Sequence, residues 1–222
     1  MSEMLPLFPL GTVLYPGLVL PLHIFEHRYR QLVRDLLDGP KPARFGVIAI
    51  RKGRETGVDG VSALHEIGCV ATLRQVTEHD DGRFDVVTSG AERFRLLELD
   101  DSRPYLLGHV ELLADDLGDE VAAATAAEDV RRAFRTYLEA LAARGVADIS
   151  VRDLPDDPVL LSYLVAASMI IDLIDGQRLL AEPDAVRRLA AERALLSTEI
   201  AMLRSLSSAP APELRSSPYS SN

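Results

Sequence analysis

Leu5-Pro-Leu-Phe-Pro-Leu-Gly-Thr-Val-Leu-Tyr-Pro-Gly-Leu-Val-Leu-Pro-Leu-His-Ile-Phe-Glu-His-Arg-Tyr-Arg-Gln-Leu32 is the most telling stretch of the chain. Pro6, Pro9, Pro16 and Pro21, interleaved with Gly11 and Gly17, exclude a helix over Leu5–Leu22. Each proline lacks an N–H and holds φ near one value, so the segment reads as edge strands and turns. The pattern then changes. Phe25, Tyr29, Leu32, Val33, Leu36 and Leu37 recur at three- and four-residue steps, which predicts a helix over Ile24–Leu37 with one apolar face. Gly39-Pro40 ends it.

Beyond this helix, strand signals dominate to about residue 113. Phe45–Ile50 reads as a buried strand and Arg51–Gly60 as a glycine-rich loop. Cys69–Val76 and Phe84–Thr88 flank Asp81-Gly82, a hairpin turn signal, and Ala91–Leu99 and Tyr105–Leu113 follow. About six short strands at turn-punctuated spacing predict a small barrel or curled sheet. Helical signals take over after residue 114. Val121–Ala143 carries Val130, Phe134, Tyr137, Leu138 and Leu141 on one stripe. Asp157-Pro158 starts a second helix, with a capping acceptor and a proline whose missing N–H does no harm. It is apolar nearly all round and is expected to run to about Ile174. Pro183 opens a last helix with Val186, Leu189, Leu196, Ile200 and Leu203 in register; Arg193 falls within that stripe and is expected either to snorkel or to pair with an acid. The fold class is α+β. A β-rich pseudo-barrel with one helix (1–113) precedes a helical subdomain (114–205). The Ser/Pro-rich residues 206–222 are expected to form a disordered tail.

Charge narrows the function. The 222 residues carry a net charge of −10 and a pI near 5.0, so the chain repels phosphate backbones. Arg28, Arg30 and Arg34 form a small basic face without a nucleic-acid motif, and no nucleic-acid partner is expected. The lone Cys69 sits in an apolar run and allows neither an internal disulfide nor a cysteine zinc site. Glu3 and the early prolines do not suit a signal peptide. The longest apolar stretch, Val159–Ile171, is short of the roughly 20 residues that span a bilayer. A cytoplasmic protein with no membrane partner is expected.

Catalytic patterns are sparse. No P-loop, G-x-S-x-G or G-x-G-x-x-G string occurs, and the two lysines, Lys41 and Lys52, fall in turn or loop context, unsuited to a serine-lysine dyad. His23-Ile-Phe-Glu-His27 matches the H-x-x-E-H string of a class of zinc peptidases. That chemistry needs both imidazoles on one helical face and a third ligand. Pro21 places His23 at or before the helix start, so the match is read as fortuitous, and no metal or cofactor is expected. Glu26, Arg28 and Arg93 stand beside apolar segments and are candidates for structural ion pairs.

The opening stretch resembles the start of the Lon protease N-terminal domain family. The resemblance continues in order through Phe45-Gly-Val-Ile-Ala-Ile50, Ile67-Gly-Cys-Val-Ala71, Asp81-Gly-Arg-Phe84, Ser89-Gly-Ala-Glu-Arg-Phe94 and Tyr105 to Val110. Gln177-Arg-Leu-Leu180 and Arg187-Arg-Leu189 fit the family's C-terminal helices, so about residues 4–204 are covered. The family often has proline where His27 stands, and that departure creates the H-x-x-E-H string. In full-length Lon this domain precedes an ATPase and a serine-lysine protease. The resemblance therefore implies a stand-alone, non-catalytic module that binds unfolded polypeptide or a partner protein, as an adaptor or substrate receptor in protein quality control. A small-ligand or scaffold domain of the same fold is the alternative, and a zinc or Lon-type peptidase a third reading. Phe25, Glu26, His27, Arg28 and Tyr29, which mix aromatic, acidic and basic groups after Pro21, are the candidate ligand-binding residues. Phe25 and Tyr29 are equally well read as core.

Overall fold

A computed structural model describes residues 2–53, 61–145 and 154–207. The disorder expected for the tail lies outside the described residues from 208 onward, while residues 206–207 end the last helix. The strands are β1 (Ser2–Leu10), β2 (Val19–Ile24), β3 (Arg44–Gly53), β4 (Val61–Glu78), β5 (Phe84–Asp100) and β6 (Leu107–Leu113). Helix α1 (His27–Asp38) follows β2, and α2 (Glu120–Ala142), α3 (Pro158–Ser168), α4 (Leu173–Ala181) and α5 (Ala185–Ser207) follow β6.

The strand order is β2-β5-β4-β3-β1-β6, and β6 pairs back onto β5. Strands β5, β4, β3, β1 and β6 therefore close a ring, and β2 lies outside it against the first part of β5. Only β1–β3 among the named strands is parallel, with Leu7 opposite Gly46. Strand β5 serves two partners in turn: residues 84–89 pair with β2 and residues 93–100 with β6. Gly90 stands between the two pairings. A Cβ there would lie 2.1 Å from the Tyr15 carbonyl oxygen, so only glycine lets the 15–18 turn close onto β5, through Gly17 N–H to Gly90 O (3.0 Å) and Gly90 N–H to Leu18 O (2.7 Å). This close approach explains a difference from the sequence expectation. Ser89-Gly90 reads as a break between two strands, yet β5 runs through it as one.

Neighbouring residues on the strands serve different cores, as the two-residue period requires. Leu7, Ile48, Val70 and Phe94 belong to one buried cluster, whereas Phe8, Val47 and Cys69 belong to a second that also receives Tyr29, Leu32, Val33 and Leu36 of α1. With both faces covered, Phe45–Ile50 is apolar without alternation. The β4–β5 hairpin closes where Asp81-Gly82 predicts it. Gly82 takes φ +75°, a conformation glycine enters freely, and its N–H meets the His79 carbonyl at 2.8 Å.

The helical core joins Val130, Phe134, Tyr137 and Leu141 of α2 to Leu161 and Val165 of α3, Leu179 and Leu180 of α4, and Leu189 and Leu196 of α5, with Tyr15 and Ile67 reaching in from the β part. Each such side chain contributes about 1.5–3 kcal/mol relative to exposure. Asp119 caps α2 by accepting from Ala122 N–H, and Asp157 caps α3 by accepting from Val159 and Leu160 N–H. The helix expected to continue to Ile174 instead breaks after Ser168. Met169 is extended, Ile170 N–H donates to the Tyr137 hydroxyl (3.0 Å), and Asp172 caps a new helix through Asp175 N–H (2.8 Å). Arg193 takes the second of its two expected arrangements, pairing with an acid: it lies 3.8 Å from Asp129, with its side chain 62% exposed and off the inward stripe of α5.

Candidate functional site

The segment after Pro21 splits in two. Strand β2 ends at Ile24, and α1 begins only at His27, with Glu26 as its extended N-terminal residue. Phe25 therefore lies outside the helix and is 53% exposed, contrary to its expected place on the apolar face. The Glu26 carbonyl accepts from Tyr29 and Arg30 N–H (3.1 and 2.9 Å), while its carboxylate pairs with Arg28 at 3.0 Å. His27 points outward. Tyr29 is buried, stacked on Phe8 with ring centroids 4.2 Å apart, and the Arg28 guanidinium lies 4.5 Å from its ring centre. Of the five residues expected to share a surface, Phe25 and His27 face out and Tyr29 belongs to the core.

Phe25 and Tyr29 both border a cleft of about 210 Å³ between Phe8–Leu10 of β1 and Pro21–Glu26. Val19, 66% exposed, stands at the far end of β2, an edge strand of the sheet. A larger groove of about 670 Å³ runs along the start of β1, the end of α1 and residues 39–42. Met4, Pro6, Pro40 and Pro42 give it apolar walls. Its polar groups converge in two sets: Glu3 with Arg44 (2.8 Å), and Asp35, which accepts from the Tyr105 hydroxyl (2.6 Å) and from Arg103 (3.0 Å). The Tyr105 hydroxyl bond, with Gln31 and Arg103, holds the Asp35 carboxyl below its ordinary range.

Of the three candidates for structural ion pairs, Glu26 and Arg28 meet each other, and Arg93 pairs elsewhere. Buried on β5, Arg93 donates to Asp115 (2.8 Å), the Ala114 carbonyl (3.0 Å) and the Leu180 carbonyl (3.1 Å). It thus ties the ring of strands to α4. Tyr163 also donates to Asp115. Arg188, fully buried on α5, donates to Ser162 (2.7 Å) and the Glu182 carbonyl (2.5 Å) and lies 4.0 Å from the Tyr163 ring centre. Glu192, one turn on and also fully buried, has no hydrogen-bond partner for either carboxylate oxygen among the described residues. Burial pushes its pKa well above its ordinary value, against the pull of Arg188, which favours the neutral carboxyl. Sequence reading missed Arg188 and Glu192, although their spacing with Ala185, Leu189 and Leu196 is helical.

Residues 4–198 match the family model of the ATP-dependent protease La (LON) substrate-binding domain. The chain belongs to that family. Among its relatives are Lon protease 2 of Syntrophobacter fumaroxidans, 24% identical over 188 residues, and Lon protease of Escherichia coli, 26% identical over 201 residues. The LON-domain match takes in 83% and 90% of this chain but only 23% and 25% of those proteins, so the chain spans about a quarter of their length. The match falls on the substrate-binding domain and not on the ATPase or protease domains. Two solved structures share the fold: a Lon N-terminal domain protein from Xanthomonas campestris (24% identity, TM-score 0.59) and the N-terminal domain of a Mycobacterium avium complex Lon protease (17% identity, TM-score 0.65). Each comparison covers 88% of this chain and 98% of the other. No helix among the described residues is long and apolar enough to cross a membrane.

Proposed function

We propose that this LON domain is a polypeptide-binding module without catalysis of its own, acting as an adaptor or substrate receptor. Membership of a family defined by substrate binding carries the reading. The surface that best suits it is Phe25 and the adjoining cleft. Phe25 offers an exposed aromatic beside a recess with room for about one large apolar side chain, the arrangement in which interface aromatics dominate binding. Strand addition along β2 is the weaker mode, because Pro21 has no N–H to give an incoming strand. Glu26, His27 and Arg28 then supply a polar rim.

Fluorescence anisotropy with an unfolded, dye-labelled polypeptide tests this. Saturable binding is expected, with Phe25→Ala weakening it by about 2 kcal/mol, or roughly thirtyfold. Binding that Phe25→Ala leaves unchanged removes this surface from the proposal, and no binding across a panel of sequences removes the general receptor. One observation favours a small-ligand reading instead. The 670 Å³ groove has the volume of a ligand pocket, and Asp35, Tyr105 and Arg103 converge on it. A metabolite-induced rise in melting temperature that Tyr105→Phe abolishes would favour that reading.

A further inference from the structure

His23 and Asp85 sit directly opposite each other on β2 and β5, and the next strand, β4, ends one residue before His79. Two side chains from paired strands and one from the turn after β4 therefore meet at the end of the sheet. His23 Nδ1 lies 2.6 Å from Asp85 Oδ1, and His79 Nε2 lies 2.7 Å from Asp85 Oδ2. The imidazole rings are 6.2 Å apart at 61°, and the three ligand atoms lie within 4.8 Å of one another. From this geometry we infer that His23, His79 and Asp85 form a binding site for a divalent transition-metal ion of the zinc or nickel class.

Two imidazoles and one carboxylate are a recurrent ligand set for such ions, whereas calcium and magnesium prefer oxygen alone. Bond lengths of about 2.0–2.2 Å place tetrahedral ligand atoms about 3.3 Å apart, so each hydrogen bond has to lengthen by roughly 0.6 Å. Side-chain rotation has to supply that: the β2–β5 register fixes the Cα positions of His23 and Asp85, and the β4–β5 turn holds His79 through its N–H to the Arg83 carbonyl (2.8 Å). The side chains are 48%, 40% and 53% exposed, which leaves the outer side open to water as a further ligand. A neighbouring cation, Arg83, lies 3.4 Å from His23 Nε2 and is held by Asp81 at 2.6 Å. The ligands come across the sheet and not along a helix. His27, the second histidine of the H-x-x-E-H string, is not among them.

Isothermal titration of the tag-free protein with zinc chloride, and separately with nickel chloride, tests the site at neutral pH. The inference does not rest on the polypeptide-binding reading. One ion per chain is expected, with magnesium giving no saturable heat. His79→Ala and Asp85→Asn are each expected to weaken binding by at least about tenfold, since even outer-shell groups at metal sites are worth that much. His27→Ala is expected to bind like the unmodified protein. Circular dichroism melts without metal check that each variant is folded. The absence of saturable zinc or nickel binding, or binding that survives His79→Ala, overturns the site.

Discussion

Replacing Arg93 by methionine keeps much of the side-chain volume and removes the guanidinium that joins the strands to the helices. Three hydrogen bonds disappear at once: one charge-assisted to Asp115 and two to the backbone carbonyls of Ala114 and Leu180. Breaking a buried ion pair by removing one partner costs about 3–5 kcal/mol, because the other charge is left behind. Asp115 keeps the Tyr163 hydroxyl and is 28% exposed, which places the expected loss near the lower bound, about 3 kcal/mol. For a chain of this size that lowers the melting temperature by roughly 6–12 °C. Urea unfolding followed by circular dichroism measures it. Arg93→Lys is expected to fall between the two, since it keeps the charge but not the three-way fork. Arg132→Ala gives the comparison: its partner Asp129 is 41% exposed and its own side chain 75%, so a change below about 0.5 kcal/mol is expected. A loss below about 1 kcal/mol in Arg93→Met would refute the view that this residue fastens the two layers.

Glu192 gives a pH prediction. Its folded-state pKa is raised by burial, so between its ordinary 4.5 and the folded value the native state holds a proton that the unfolded state has released. Below 4.5 both states are protonated and the effect vanishes; stability falls as pH rises above it. Glu192→Gln is therefore expected to gain on the unmodified protein as pH rises, read as diverging urea midpoints between about pH 4 and pH 8; parallel midpoints would show that Glu192 is ionised in the fold. Cys69 is fully buried and its thiol pKa is pushed up by that burial, so a thiol reagent is expected to label it only after unfolding. Fast labelling of the native protein would contradict its placement.

The order of strands and helices is legible in the sequence because local chemistry dictates it. The prolines of residues 6–21 admit little but extended chain, Asp81-Gly82 demands a turn, and Val130, Phe134, Tyr137 and Leu141 share a helical face. What escapes sequence reading depends on contacts between distant segments. Ser89-Gly90 has the local character of a break, but the Tyr15 carbonyl pressing on Gly90 makes it part of a strand. The apolar run from Val159 gives no hint of the break after Ser168, which hangs on the Tyr137 hydroxyl 33 residues away. Arg193 stands four residues after Leu189 and three before Leu196, so helical spacing alone places it on the same face as Glu192; that Arg188 and Glu192 turn inward and Arg193 outward is decided by the packing of α5 on the neighbouring helices.

The two surfaces of functional interest share one determinant, the register of β2 on β5. Val19 pairs with Ser89 and His23 with Asp85, and the hydrogen bonds between Gly90 and the 17–18 backbone set that alignment. A slip of one residue turns every side chain of a strand to its other face. On β2 it would bury His23 in place of Ile24 and carry the β2–α1 connection, with Phe25, out of its present position. His23 lies 6.2 Å from Phe25 between ring centroids, so an ion held by His23, His79 and Asp85 would also pin the strand that presents the aromatic. Metal occupancy and polypeptide affinity are thus expected to be coupled through β2. The coupling is reciprocal: whatever factor zinc applies to peptide affinity, peptide applies to zinc affinity.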